Sequence, residues 1–247
     1  MKNFKIKSLL FSLLAVLMIT ITMTSCEKTE TTTDPIDAVE GNMSTTNNTD
    51  KIEIDVTKAE KPLLHMHFSK DLSKEEADAE WEKVVDKFIE TYKLENGPIE
   101  DRGVSTEWFS SLRTRTGTQT HNGTDDNVWA RLGFRSSYGY TTHSWYELNN
   151  WGDDREEGDW DYYLIRSYIS GQAVSWVETR WAQLALQGTD GWFVTDFDVH
   201  MHTSYQSIYS TGASHIYSAP NIWLDNSSSS GWDYYNTANI GYGRIYF

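Results

Sequence analysis

Residues 181 to 186 read Trp-Ala-Gln-Leu-Ala-Leu, and this short run decides the fold class. Its odd-numbered positions (Trp, Gln, Ala) alternate with an apolar set (Ala, Leu, Leu), so the pattern repeats every two residues and predicts a β-strand. Similar runs begin at Asn127, Tyr162 and Gly191, and Gly, Asn, Asp and Ser separate them. Several short strands divided by turn residues predict that residues 110 to 247 form a β-sandwich or barrel without a long helix.

The N-terminus has the layout of a bacterial lipoprotein signal. Three lysines precede an apolar run that ends at Met23, so residues 1 to 25 are predicted to be a signal peptide that is removed. The following Met-Thr-Ser-Cys resembles a lipobox, in which the cysteine is lipidated. Cys26 is the only cysteine in the chain, and lipidation explains an unpaired thiol in an exported protein.

Residues 26 to 50 are rich in Thr, Asn and acids, with few apolar side chains to bury. They are therefore predicted to be a disordered tether. Together with the lipidated Cys26, this tether predicts a lipid-anchored protein at the bacterial outer membrane or cell surface, facing either the periplasm or the exterior.

The charge of the chain excludes one class of partner. The full sequence has a formal net charge of −15, and removing three lysines with the signal peptide leaves 18 basic against 36 acidic residues, or −18. Such an excess of negative charge argues against nucleic acid, and against an anionic membrane as a direct electrostatic partner.

Residues 51 to 108 form a separate segment in the sequence pattern. Residues 62 to 68 read as a short strand, and Ser73 with Glu76 has the spacing of a capping box. Apolar residues then recur at helical spacing, which predicts a helix from Asp78 to Lys93. The segment is predicted to be a small α/β scaffold of unknown role that packs on itself or on the larger part.

Four motifs in the second part occur in the order typical of one family. They are Gly123-Thr124-Asp125-Asp126, the run from Glu147 to Asp161, Asp190-Gly191-Trp192, and Asn221-Ile222-Trp223-Leu224. In this order they resemble the PLAT (lipoxygenase-homology) domain, and most closely the C-terminal membrane-binding domain of clostridial alpha-toxins. Arg155 stands where the family has Phe, and Trp151 where it has Pro.

The resemblance implies a mainly β protein: an eight-stranded antiparallel PLAT-like sandwich preceded by the small strand-helix segment. It also implies a domain that engages lipid head groups or a protein partner, with calcium held by loops at one end of the sandwich. Carried over residue by residue, the calcium ligands fall on Gly123, Thr124, Asp125, Asp153, Asp154, Asp190 and Gly191.

The chemistry of these residue types suits calcium independently of the family. Calcium takes six to eight oxygen ligands from carboxylates and carbonyls, and these positions supply both. No thiolate is free, and His121 is the only histidine beside the motifs, so a soft metal is disfavoured. The other acids of the run, Glu156, Glu157 and Asp159, are expected to be solvated or to meet a partner. The alternative is that the whole acidic run only keeps the protein soluble.

Two other kinds of site are weighed. His65/His67 and His200/His202 are His-x-His pairs whose members share one face of a strand, but neither pair has a third zinc ligand at known spacing, so structural or surface roles are expected. The motifs of serine hydrolases, zinc proteases and phosphate-binding loops are absent from the sequence, so a protein that is not an enzyme is expected.

The abundant tryptophans supply candidate partner contacts. Trp151 lies in a predicted loop beside the calcium residues, and Trp160 lies in the acidic run. An exposed tryptophan there can enter a membrane interface or stack on a sugar ring. Two alternatives to lipid or protein binding therefore stay open: a carbohydrate-binding module that contacts a glycan, and an envelope scaffold without a soluble ligand.

Overall fold

Two antiparallel β-sheets form most of the protein. The computed structural model describes residues 54–96, 107–149, 155–203 and 214–247. The signal peptide, Cys26, the tether, Trp151, Asp153 and Asp154 lie outside these residues. The elements are β1 (Leu64–Phe68), α1 (Lys74–Asn96), β2 (Glu107–Thr116), β3 (Asn127–Ser136), β4 (Gly139–Thr142), β5 (Tyr146–Glu147), β6 (Trp160–Tyr168), β7 (Trp176–Gln187), β8 (Trp192–His202), β9 (Ser214–Ile216), β10 (Ile222–Leu224), β11 (Trp232–Asn236) and β12 (Ile245–Tyr246).

The first sheet has the order β1-β6-β2-β8-β10, and β9 also pairs with β8. The second sheet has the order β11-β7-β3-β4, with β12 on β7 and β5 on β3. The predicted mainly β, antiparallel sandwich is therefore confirmed, but the described residues contain twelve strands instead of eight. The surplus arises because several strands of five residues or fewer, such as β5 and β12, add to the longer ones.

The core lies between the two sheets. Leu112, Tyr163 and Val199 from the first sheet are buried together with Leu132 and Leu184 from the second. In β7 the even-numbered residues of the period-two run enter this cluster, as the alternation predicts.

Helix α1 covers the outer face of the first sheet. Its apolar side chains Trp81, Val85 and Ile89 pack with Phe109 and Tyr162 from that face. The indole of Trp81 donates a hydrogen bond to the hydroxyl of Ser111. The helix begins at Lys74, four residues before the predicted start at Asp78. A continuous apolar contact holds it on the sheet.

The capping box is present at the start of α1. The backbone N–H of Ser73 donates to Glu76 Oε2 at 3.0 Å, and the N–H of Glu76 donates to Ser73 Oγ at 3.3 Å. These reciprocal bonds satisfy amides that have no partner within the helix.

The segment before β2 is built into the sandwich. Strand β1 pairs antiparallel with β6 over its full length. Upstream of β1, Glu60 bridges to Tyr146 of the second sheet, and Ile54 packs with Trp129 and Trp145 on the outer face of that sheet. Residues 52 to 247 form one compact unit. In the part of the chain that the structure describes, α1 included, no helix is long and apolar enough to cross a membrane.

Candidate functional site

Two loops at one end of the sandwich are joined by reciprocal hydrogen bonds. Thr124, in the β2–β3 loop, donates from Oγ1 to the carbonyl of Asp190, in the β7–β8 turn, at 2.8 Å. The N–H of Asp125 donates to Asp190 Oδ2 at 2.8 Å, and the N–H of Asp190 donates to Asp126 Oδ2 at 2.6 Å. The sequence-distant motifs therefore meet, with three aspartates in adjacent loops.

Glycines allow these loops to approach. Gly188 has φ +146°, and a Cβ atom there would lie 1.8 Å from Asp126 Oδ2, so a side chain cannot be accommodated. A Cβ atom on Gly123 would lie 2.7 Å from the carbonyl oxygen of Arg155, which places the start of the 155–158 loop against the same end. The described part of the third loop, which begins at Arg155, thus lies against the β2–β3 loop at Gly123.

The structure brings together five of the seven predicted calcium residues: Gly123, Thr124, Asp125, Asp190 and Gly191. The carboxylate of Asp125 is exposed, whereas the Thr124 side chain is buried and its hydroxyl also accepts from the N–H of Asp126 at 3.1 Å. Thr124 Oγ1 therefore braces the two loops. Asp126 was not predicted as a site residue, although its place in the Gly-Thr-Asp-Asp motif was a usable signal.

The donor set present fits part of a calcium shell. Asp125, Asp126 and Asp190 offer carboxylate oxygens in adjacent loops, and calcium prefers such hard, flexible donors. Within the residues that the structure describes, no three His, Cys, Asp or Glu side chains are arranged as a metal site. A complete shell thus requires further oxygens, for which Asp153 and Asp154 are the sequence-predicted source.

Arg155 anchors the acidic run to the core. Its side chain is buried, and Nη2 donates to the carbonyl of Leu148 at 2.6 Å and to the hydroxyl of Tyr163 at 3.3 Å. Its φ of 64° lies in the left-handed region, which is unusual for a residue other than glycine. Arg155 is therefore a buried polar anchor at the described end of the loop.

The other acids of the run, Glu156, Glu157 and Asp159, were expected to be solvated or to meet a partner, and Asp159 is not solvated. That residue is 8% exposed, and its carboxylate accepts from the N–H of Lys70 at 2.6 Å and contacts His67 Nε2 at 3.0 Å. Asp159 therefore has its partners within the chain, because β1 and the residues just after it lie against the start of β6. Glu157, in contrast, is half-buried in the loop and accepts from the N–H of His121 at 2.9 Å.

The first His-x-His pair forms an ion-pair cluster with the same acids. His65 Nε2 lies 3.0 Å and His67 Nδ1 3.3 Å from Asp161 Oδ1, which is buried. The hydrogen bond to Asp161 raises the pKa of His67 to about 8. Burial raises the pKa of Asp161, but hydrogen bonds from both histidines outweigh it and lower the pKa to about 2.

The second His-x-His pair is buried in β8. The imidazole of His200 stacks with His215 at 6.1 Å between ring centroids, and that of His202 stacks on Phe109 at 6.0 Å. Burial lowers the pKa of His200 to about 3 and that of His202 to about 4, so both are neutral at pH 7. Their surroundings fit the structural role expected from the sequence.

Of the two described tryptophans Trp160 and Trp223, it is Trp223 that is exposed near the loops. Trp160 was predicted as a partner contact, but it is only 3% exposed because the guanidinium groups of Arg115 and Arg113 lie over its ring at 4.5 and 5.2 Å. Trp223 is 48% exposed, and a Cβ atom on Gly191 would lie 3.3 Å from its ring. No local pattern predicts this exposure, because Trp223 lies in an apolar strand run.

A cleft of about 300 Å³ lies beside the two loops. Strands β2, β8 and β10 and the start of the β2–β3 loop supply its walls. The lining residues include Arg115, Gln119, Asn122, Phe193, Thr195 and Trp223.

No protein family and no curated protein matches this sequence. Several solved structures are similar over part of the chain. The alpha-toxin of Clostridium perfringens is 14% identical with a TM-score of 0.37, and covers 59% of this chain and 35% of its own. That of Clostridium absonum is 14% identical with a TM-score of 0.38, covering 56% and 33%. Coral 8R-lipoxygenase, described as activated by calcium via a C2-like domain, is 16% identical with a TM-score of 0.35, covering 53% and 17%.

This chain thus spans about a third or less of the length of each of these proteins. The sequence motifs resemble the same two groups of proteins, the clostridial alpha-toxins and the lipoxygenases. At these scores and identities the likeness carries no activity, substrate or partner over to this protein.

Proposed function

We propose that this protein is a lipid-anchored envelope binding protein, not an enzyme, whose PLAT-like sandwich holds calcium in its end loops and engages lipid head groups or a protein partner. The observation that carries the proposal is the reciprocal hydrogen bonding between Asp125, Asp126 and Asp190, which concentrates carboxylates from two loops at one end. Like charges this close repel one another, and a bound cation offsets that repulsion.

Calcium also gives an acidic protein a way to reach an anionic surface. The mature chain is strongly negative, so direct contact with phosphate head groups is unfavourable. A calcium ion whose shell is completed partly by the protein leaves positions for oxygens of a head group or of a partner protein. Trp151, which lies in the predicted loop beside the calcium residues, is proposed to add apolar contact at the interface.

The anchor assigned to Cys26 brings the domain to the membrane. A single weak surface contact becomes effective when the tether of residues 26 to 50 holds the domain near that surface, because the local concentration is raised. The proposed location is the outer membrane or the cell surface.

The first test is the melting temperature of the protein titrated with calcium, with magnesium and with chelator. Ligand binding to the native state alone stabilises it by about 2.7 kcal/mol at a hundred times the dissociation constant. We expect a calcium-selective rise that Asp125→Asn and Asp153→Ala reduce or abolish. Asp125 is suited to this test because its carboxylate is exposed, while its N–H makes the loop contact.

Asp86→Asn is the matched control, because Asp86 is an exposed acid on α1 and the substitution changes the net charge equally. If Asp86→Asn reduced the calcium-dependent rise in melting temperature as much as Asp125→Asn does, the effect would be assigned to overall charge. No calcium-selective rise in the parent protein would refute the calcium site. Binding to anionic vesicles with and without calcium then separates a lipid partner from a protein partner.

A further inference from the structure

Hydrogen bonds join the segments that form the walls of the cleft beside the loops. The N–H of Gly117 donates to the carbonyl of Phe193 at 2.9 Å, and the N–H of Phe193 donates to the carbonyl of Asn122 at 3.0 Å. Two residues further along β8, Thr195 Oγ1 donates to the carbonyl of Arg115 at 3.2 Å. The cleft is therefore formed by hydrogen-bonded strand ends and needs little rearrangement to accept a ligand.

A glycine keeps the floor of this cleft open. A Cβ atom on Gly117 would lie 2.3 Å from Asn122 Nδ2 and 2.5 Å from Phe193 Cδ1. Any side chain at that position would displace the Asn122 amide and the Phe193 ring. The backbone at Gly117 thus allows an amide group and an aromatic ring to approach each other closely.

An aromatic pair forms the apolar part of the cleft. Trp223 of β10 stands opposite Phe193 of β8 in the strand register, with ring centroids 5.3 Å apart. Trp223 is nearly half exposed, whereas most tryptophans in this sandwich are covered. An indole face open to solvent beside polar groups suits a ligand with one apolar face and many hydroxyls.

The polar part of the cleft suits a neutral ligand. Gln119 is exposed and Asn122 is 4% exposed at the edge of the cleft, and both carry amide groups that can donate and accept hydrogen bonds, as paired hydroxyls require. Arg115 is the only charged side chain among the described residues that line the cleft. Its guanidinium lies over the ring of Trp160 at 4.5 Å, and its Nε donates to the carbonyl of Gly158 at 3.4 Å, so this cation is already held by groups of the protein itself.

We propose that this cleft binds a neutral glycan, with a sugar ring stacked on Trp223 and its hydroxyls held by the amides of Gln119 and Asn122. The glycan site is distinct from the calcium loops, although Gly191 of the β7–β8 turn lies against the ring of Trp223. In this proposal, loops at one end of the sandwich bind calcium and the neighbouring cleft binds a sugar.

The test measures binding of the full chain, in detergent and with chelator present, to immobilised neutral oligosaccharides of glucose, mannose, galactose, xylose and N-acetylglucosamine. Sialylated and sulfated glycans form the anionic arm. We expect binding to at least one neutral glycan, a loss of about tenfold or more in Trp223→Ala, and a smaller loss in Gln119→Ala. Tyr140→Ala is the control, because Tyr140 is 70% exposed in the second sheet, away from the cleft.

Binding to anionic glycans alone, binding to none of the glycans, or equal binding by Trp223→Ala would overturn the proposal. Melting temperatures near that of the parent confirm that the variants fold, which is expected because Gln119 is exposed and Trp223 nearly half exposed. The chelator separates this result from the calcium hypothesis. If the Trp223→Ala variant keeps the calcium-dependent rise in melting temperature, the substitution has altered the cleft and not the calcium loops.

Discussion

At the scale of single residues, one buried arginine joins the helix to the sheet. Arg113 is 3% exposed on β2, and its guanidinium contacts Asp78 of α1 at 2.6 Å and also Asp198 of β8. Asp78 in turn accepts from the hydroxyl of Tyr162 at 2.8 Å, and Asp198 from the N–H of Ser218 at 3.0 Å. Each carboxylate is thus compensated by a cation and by a hydrogen-bond donor, as buried charges require.

Removing this arginine should be costly because it leaves two carboxylates without their cation. For Arg113→Met we expect a loss of about 3–5 kcal/mol in the free energy of unfolding, measured by denaturant titration. Adding Asp198→Asn should recover part of that loss, since one uncompensated charge disappears. The exposed pair of Lys83 and Glu80 on α1 supplies the control, where Lys83→Met should change stability little. If Arg113→Met and Lys83→Met lowered the free energy of unfolding by similar amounts, the buried ion-pair network would be contradicted.

At the scale of elements, β1 and α1 complete the first sheet. Without them, Phe109, Trp160, Tyr162 and Leu164 would lose the apolar cover that Trp81 and its neighbours provide. A chain that begins at residue 107 should therefore aggregate or lose cooperative unfolding, because a large apolar face and the edge of β6 become exposed. Cooperative melting of that shorter chain, at a temperature near that of the parent, would show that the segment is dispensable.

A point substitution tests the same contact without deleting a segment. Trp81→Ala removes a fully buried side chain from the helix–sheet contact and should lower the free energy of unfolding by about 3–5 kcal/mol. Leu94→Ala, on the same helix but 85% exposed, should cost well under 1 kcal/mol. Equal effects of the two substitutions in denaturant titrations would mean that α1 is not held by its apolar face.

Local patterns in the sequence predict these elements but not their partners. The period-two run in β7, the helical spacing in α1 and the Ser73–Glu76 box each reflect neighbouring residues, and each is present in the structure. The pairing of β1 with β6 is long-range and leaves no local pattern. That pairing places His65 and His67 beside Asp161. The ion-pair cluster of these residues therefore could not be predicted from the sequence.

The same reasoning applies to the candidate site. The motif order predicted that Asp125 and Asp190 belong together, and their loops are hydrogen-bonded. The exposure of Trp223 and the burial of Trp160 depend on which strand lies at the sheet edge and which is covered by arginines. Those are properties of the assembled sheet, and a tryptophan in a strand run does not reveal them.

At the scale of the whole molecule, buried histidines set the response to acid. Burial lowers the pKa of His143 to about 4, that of His200 to about 3 and that of His202 to about 4. In the unfolded chain each titrates near 6.5, so below that pH the unfolded state binds protons that the folded state does not. Their contribution to stability is therefore present above pH 6.5 and is lost as the pH falls toward 4.

His67 acts in the opposite direction. Its hydrogen bond to Asp161 raises its pKa to about 8, so its contribution is complete below pH 6.5 and is lost as the pH rises through 8. The side chain is 31% exposed, so solvent screening reduces the size of this contribution. The two opposing responses balance near pH 7, which places the maximum of stability there.

Denaturant titrations between pH 5 and pH 8.5 test this balance. Three histidines that bind protons only in the unfolded state make the free energy of unfolding change by up to about 4 kcal/mol per pH unit between pH 5 and 6.5. This pH range lies above most carboxylate pKa values. On the alkaline side a shallower decline is expected as the pH rises from about 7 through 8, and His67→Gln should remove it while leaving the acid side unchanged. Stability that increases as the pH falls from 6.5 to 5 would mean that the buried histidines accept protons within the folded protein, and the closed packing around His202 would then be wrong.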